Sequence, residues 1–114
     1  MKNYVINKFI YAGRGLIYAW RYELSFRLEV TATIFIILVG WLKHWPVVYW
    51  LVLVLTITLV LVAELINTVL EKLCDMVEPR LSVKVRLLKD VMAAVVGLTA
   101  LAALTVGLIL WYSI

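Results

Sequence analysis

The stretch Ala63-Glu64-Leu65-Ile66-Asn67-Thr68-Val69-Leu70-Glu71-Lys72-Leu73-Cys74-Asp75 carries the most unusual chemistry in the chain. At about 100° per residue, with Glu64 at zero, Asn67 falls near −60°, Thr68 near +40°, Glu71 near −20° and Asp75 near +20°. Three carboxylates, an amide and a hydroxyl thus share one helix face. Leu65, Ile66, Val69, Leu73 and Met76 occupy the other. Carboxylate oxygens of this kind hold a hard divalent cation such as Mg²⁺, with substrate phosphates filling its remaining positions. A helix emerging into water would explain Glu71 and Asp75 as well. It explains Glu64 and Asn67 less well, because they follow directly on Val60-Leu61-Val62-Ala63. An ionisable residue at the hydrocarbon edge is a functional candidate by default. Asn67 and Thr68 can also join helices by hydrogen bonds worth about 1 kcal/mol each.

Two smaller groups flank this one. Glu23 and Arg27 are four residues apart and can pair on a helix, a contact worth a few tenths of a kcal/mol, and Glu29 follows. Arg86, Lys89 and Asp90 precede a long uncharged run, and Asp90 is expected as its helix N-cap. Acidic groups beside a basic rim suit a metal–nucleotide complex, and a glutamate at the hydrocarbon edge can meet a lipid hydroxyl. Three short helices cannot bury such a site alone, so neighbouring subunits are expected to complete it. Other chemistries find little support. No Walker motif and no kinase-type glycine loop is present, and Gly13-Arg14-Gly15 is a weak G-x-G. His44 is the sole histidine and Cys74 the sole cysteine, which excludes a zinc site, a Ser-His-Asp triad and an internal disulfide.

The elements that must position these groups follow from hydropathy. Hydrophobic residues make up 66% of the 114 residues and charged residues 16%. Too little polar surface remains to cover a soluble fold of this size, so a soluble enzyme and a disordered chain are both excluded. Val30–Leu42 extends to a span over 26–45. Val47–Ala63 is uncharged and its helical pattern continues to Leu73, a span over 47–73. Val91–Ile114 is 24 residues without a charge, a span over 91–113. Residues 1–25 mix Lys2, Lys8, Arg14 and Arg21 with Tyr4, Phe9, Leu16 and Trp20, which suits an amphipathic helix on the membrane surface. Gly13-Arg14-Gly15 is expected to bend it, and Pro79 to break the 72–90 connection. The fold class is therefore an all-α membrane protein of one domain, 1–114, with a surface helix and three transmembrane helices.

Five basic residues precede the uncharged stretch 30–42 and five lie between the uncharged stretches 47–63 and 91–114. Lys43 alone lies between the first two stretches. The positive-inside rule then puts the N-terminus and the 72–90 loop in the cytoplasm and the 43–46 turn outside. Trp41, Trp45, Tyr49 and Trp50 form an aromatic belt around that turn, with Trp111 and Tyr112 on the same face. The net charge of +4 reads as basic loops rather than nucleic-acid binding.

Three motifs, in order and spacing, resemble those of the small bacterial integral-membrane diacylglycerol kinases, a family that includes undecaprenol kinases. They are Glu64-Leu65-Ile66-Asn67-Thr68-Val69-Leu70-Glu71 with Asp75, then Glu23-Leu24-Ser25-Phe26-Arg27-Leu28-Glu29, then Lys89-Asp90-Val91-Met92-Ala93-Ala94-Val95. Val69-Leu70 stands where the family has Ala-Ile, and the 79–88 loop lacks the family's frequent His and Gly-Arg-Ala elements. The resemblance covers about residues 9–114. It implies a homotrimer with shared active sites in the bacterial inner membrane. The implied activity is ATP- and Mg²⁺-dependent phosphorylation of a membrane alcohol, foremost 1,2-diacylglycerol to phosphatidic acid, with undecaprenol as the alternative. Glu64 would be the general base. Glu23 and Glu71 would hold the metal. Tyr11, Gly15, Asn67, Asp75, Lys89 and Asp90, with Glu23 and Glu71, would surround the nucleotide. Arg27 and Glu29, beside Glu64, would shape the lipid entrance. The competing classes are a small proton-coupled transporter subunit built on Glu64, which would normally carry four spans, and a structural subunit without chemistry.

Overall fold

The computed structural model describes residues 2–77 and 83–113, in four helices. They are α1 (Lys2–Tyr22), α2 (Leu24–Lys43), α3 (Val47–Val77) and α4 (Val83–Tyr112). Three of them, α2, α3 and α4, are long and apolar enough to cross a membrane. Their outward side chains, among them Phe35, Leu55, Leu98 and Leu101, are exposed. Apolar surface on that scale is stable against lipid and not against water. The 31 residues of α3 and the 30 of α4 give lengths of about 45 Å, well beyond a hydrocarbon core of about 30 Å, so both are longer than a crossing requires.

The helix boundaries differ from the hydropathy reading in physically simple ways. No bend occurs at Gly13-Arg14-Gly15: α1 is continuous there, and no described glycine has a positive φ. The break falls at Glu23, which is extended at φ −114°, ψ 106°. Its N–H still donates to the Ala19 carbonyl, and its own carbonyl accepts from the Arg27 N–H, so one extended residue re-aims the chain with both neighbouring helices bonded. The helix containing Asp90 starts at Val83, so Asp90 is its eighth residue and caps nothing. Hydropathy marks where lipid begins, whereas a helix runs on wherever its backbone bonds can close. Pro79 and Arg80 lie outside the described residues.

At the 43–46 turn α2 closes with a Schellman motif. Trp45 N–H donates to the Gly40 carbonyl (3.1 Å) and His44 N–H to the Trp41 carbonyl (3.3 Å), with His44 left-handed at φ 56°. Pro46 ends the turn, and its carbonyl accepts from Tyr49 N–H to start α3. The motif folds Trp45 inward, where it is 4% exposed and forms a core with Leu53 and Leu110, flanked by Tyr49 and Trp50. Trp45 therefore leaves the expected belt and becomes the point where α2, α3 and α4 meet. A Cβ on Gly40 would lie 2.5 Å from the Trp45 ring, so this approach requires glycine. Lys43 Nζ donates to the Trp111 carbonyl (2.7 Å) and sits 4.6 Å from the Trp111 ring centre, tying the ends of α2 and α4.

One stripe of α3 faces inward along its whole length. Leu53, Val60, Ala63, Glu64 and Cys74 are buried on it, while Ile66, Val69, Leu73 and Met76 face out. α3 packs most extensively on α4 and next on α2, and α1 packs on α2.

Candidate active site

Phase along α3 builds the site. Leu53, Val60 and Glu64 fall within about 40° of one another on the helix, so the inward stripe changes from hydrocarbon to carboxylate without changing direction. Glu64 is 6% exposed, the most enclosed charged side chain among the described residues. The next turns of the stripe carry Asn67 and Glu71, both half-buried, and Asp75 at the exposed end. Asn67 Nδ2 donates to Glu71 Oε1 (3.2 Å), orienting that carboxylate and leaving its second oxygen available. Thr68 donates to the Glu64 carbonyl (3.1 Å), so its hydroxyl is satisfied by its own helix.

The other helices bring their motifs to the same end. The carboxylates of Glu29, Glu23 and Glu71 all lie within Coulombic range of Glu64. Lys89 of α4 pairs with Asp75 of α3 (Nζ–Oδ1 2.9 Å), and Glu71 is also within its electrostatic range. This bridge crosses between two different motifs of the sequence. The expected Glu23–Arg27 pair is not made: among the described residues the ion pair is Lys89–Asp75. Glu23 sits in the break rather than on a shared helix with Arg27, so the four-residue spacing no longer aligns them.

The remaining candidates are placed more loosely. Arg27 and Asp90 are exposed. Tyr11 is exposed, with the Arg14 guanidinium 5.8 Å from its ring centre, and Gly15 lines a groove between α1 and α3. Glu29 stands at the edge of an apolar cleft of about 390 Å³ between α2, α3 and α4, which also takes in Thr33, Thr56, Val60 and Gly107. The motif spacing did not disclose that cleft, nor the approach of Lys72 to the Tyr18 ring (5.9 Å). Both depend on how separate helices pack.

The donor set is suited to a hard cation but only partly assembled. Glu23, Glu29, Glu64 and Glu71 concentrate negative charge, and every candidate ligand atom is a carboxylate or amide oxygen. Among the described residues, however, no group of three or more His, Cys, Asp or Glu side chains converges enough to hold a metal alone. Any divalent cation at this end would therefore depend on ligands beyond these side chains, such as water or phosphate oxygens.

Fold and site together define a helical membrane protein with an enclosed carboxylate on the inward face of α3. The prokaryotic diacylglycerol kinase family matches residues 10–111 of this sequence. The chain belongs to that family. It is also similar to a diacylglycerol kinase of Synechocystis sp., with 35% identity over 100 residues, covering 87% of this chain and 57% of that protein. The chain thus spans little more than half the length of this curated relative.

Proposed function

We propose that this protein is an ATP- and Mg²⁺-dependent lipid kinase of the bacterial inner membrane, converting 1,2-diacylglycerol to phosphatidic acid. The observation that carries the reading is the enclosure of Glu64 at the point where the inward stripe of α3 turns from apolar to acidic. A lipid hydroxyl can reach a carboxylate there without leaving the hydrocarbon. A nucleotide can approach from the water side, where Glu71, Asp75 and Lys89 stand.

The chemistry asks for position and charge neutralisation more than for covalent intermediates. The lipid hydroxyl oxygen attacks the γ-phosphorus of ATP. Its proton passes to Glu64, the new O–P bond forms, and the bond from the γ-phosphorus to the bridging oxygen breaks to release ADP. Asn67 fixes Glu71, and Glu71 with Glu23 would hold Mg²⁺, which would supply neutralisation of the phosphate charge. Lys89, held by Asp75, offsets charge on the nucleotide, with Asp90, Tyr11 and Gly15 around it. Arg27 and Glu29 border the route of the lipid. α1 lies as an amphipathic helix on the cytoplasmic surface, and three copies of the chain form a trimer that closes the open side of each site.

Purified protein in mixed micelles with labelled ATP, offered diacylglycerol and undecaprenol side by side, tests the reading. Labelled phosphatidic acid is expected. Labelled undecaprenyl phosphate alone would reassign the substrate, and no labelled lipid would refute the kinase. Cysteine scanning in spheroplasts, after replacement of Cys74, should label position 44 from outside. Labelling there only from inside would reverse the orientation. Sedimentation in detergent should give a mass of three chains.

A further inference from the structure

α1 ends at Tyr22, immediately before the break at Glu23, and packs chiefly on α2. Against α3 it leaves an open groove of about 640 Å³ with apolar walls, among them Leu16, Leu65 and Val69. Polar side chains reach this groove from both helices: Tyr18 from α1, Thr68 and Lys72 from α3. Thr68 is satisfied within its own helix by the Glu64 carbonyl. Lys72 instead crosses to α1. Its ammonium lies 5.9 Å from the Tyr18 ring centre and donates to the Tyr18 hydroxyl. Tyr18 in turn stacks on Tyr22, with ring centres 4.8 Å apart. A continuous path of contacts therefore runs from α3 through Lys72, Tyr18 and Tyr22 to the residue beside Glu23.

Glu23 is bonded to the helices on both sides of it, through its N–H to Ala19 and its carbonyl to Arg27. On the α2 side the chain is anchored three residues on by Phe26, which is buried. On the α1 side it borders the loosely filled groove. A single extended residue between two helices is where a swing of one against the other is absorbed. A swing of α1 would carry the Glu23 carboxylate with it, and that carboxylate lies within Coulombic range of both Glu64 and Lys72. We infer that Lys72 and Tyr18 are positioning residues, a clasp that holds α1 on α3 and so keeps the Glu23 carboxylate at the acidic face. Neither residue touches the reacting atoms. The inference rests on the proposed role of Glu23 toward Mg²⁺. It predicts that loss of the clasp raises the demand for metal and leaves the chemical step unchanged once metal is saturating.

The test uses the full chain in mixed micelles and two readouts. Tyr18→Phe removes the hydroxyl and keeps the ring on Tyr22, while Lys72→Arg keeps both charge and donor. Hydrogen exchange, read by mass spectrometry over residues 16–27, reports the backbone bonds of the break without reference to activity. It should be about threefold faster in Tyr18→Phe, the factor one exposed hydrogen bond supplies, and parent-like in Lys72→Arg. The Mg²⁺ concentration for half-maximal rate should also rise about threefold in Tyr18→Phe, with kcat at saturating Mg²⁺ unchanged, and Lys72→Arg should match the parent. In a Lys72→Gln background, where the partner is already gone, Tyr18→Phe should change neither readout further. Unchanged exchange in Tyr18→Phe overturns the inference, because the contact then holds nothing. Faster exchange with parent Mg²⁺ dependence overturns it too, making the clasp a purely structural contact, as does a full effect of Tyr18→Phe in the Lys72→Gln background. An inactive parent would refute the kinase reading, and the metal role of the clasp with it. An active parent with Mg²⁺ dependence unmoved by Tyr18→Phe refutes the inference alone.

Discussion

At the turn end of the bundle the enclosed side chain is Trp45, 4% exposed and packed on Leu53 and Leu110. At the opposite end it is Glu64, 6% exposed, with three further carboxylates within Coulombic reach. The same stripe of α3 serves both ends. Around Trp45 three helices interlock through edge-on aromatic contacts at 6.0 and 6.2 Å between ring centres, a tight glycine approach and a lysine tie. Around Glu64 the cross-helix links among the described residues are fewer, chiefly Lys89–Asp75. Packing is thus concentrated at the turn end, and charge at the other. The turn end should therefore respond to mutation in stability, and the carboxylate end in rate.

The sharpest test is Glu64→Gln. It should lower kcat by about 10²–10⁴, the range for loss of a general base, with a smaller effect on the KM for ATP. The variant keeps the size and most hydrogen bonds and removes a charge at the lipid edge, so thermal unfolding in detergent should come no earlier than in the parent. A retained kcat in folded protein would remove Glu64 from the mechanism, and loss of fold would make it a structural residue.

The converse substitution is Gly40→Ala. The added Cβ meets the Trp45 ring at 2.5 Å and Trp50 at 3.0 Å, so aromatic groups must move in a packed core. A loss of about 1–3 kcal/mol is expected, read as a lower Tm, with kcat per folded molecule near the parent value. A large fall in kcat at unchanged Tm would mean that the two ends are coupled.

Glu71→Gln and Glu23→Gln each remove one anionic oxygen from the proposed metal site. The Mg²⁺ concentration for half-maximal rate should rise about 10-fold, and added Mg²⁺ should restore part of the activity. Identical Mg²⁺ dependence in variants and parent would leave both as surface charges. The smallest effect is expected at the turn. His44 is left-handed at φ 56°, where glycine is less strained, so His44→Gly should stabilise by about 1 kcal/mol or less. A lower Tm would show that the His44 side chain contributes more than its backbone costs.

Much of this was legible in residue order. The three apolar segments are long enough to be recognised as spans because lipid leaves a helix little choice but to be apolar outside. The acidic stripe from Glu64 to Glu71 could be read because helix phase depends on spacing alone, and the inward burial of that stripe agrees. What spacing could not decide was everything set between helices. The Glu23–Arg27 spacing permits a pair, yet the chain breaks at Glu23 and no pair forms. Asp90 reads as a cap, yet the helix starts seven residues earlier. Trp45 reads as belt, yet a Schellman turn and a bare Gly40 draw it into the core. Lys89 meets Asp75 from another helix, and the α1–α3 groove has no counterpart in any single motif. Helix phase and hydropathy are local, fixed within a few turns by backbone geometry and solvent. The break, the inward turn, the bridge and the groove depend on where one helix lies against another, and only the tertiary structure decided that.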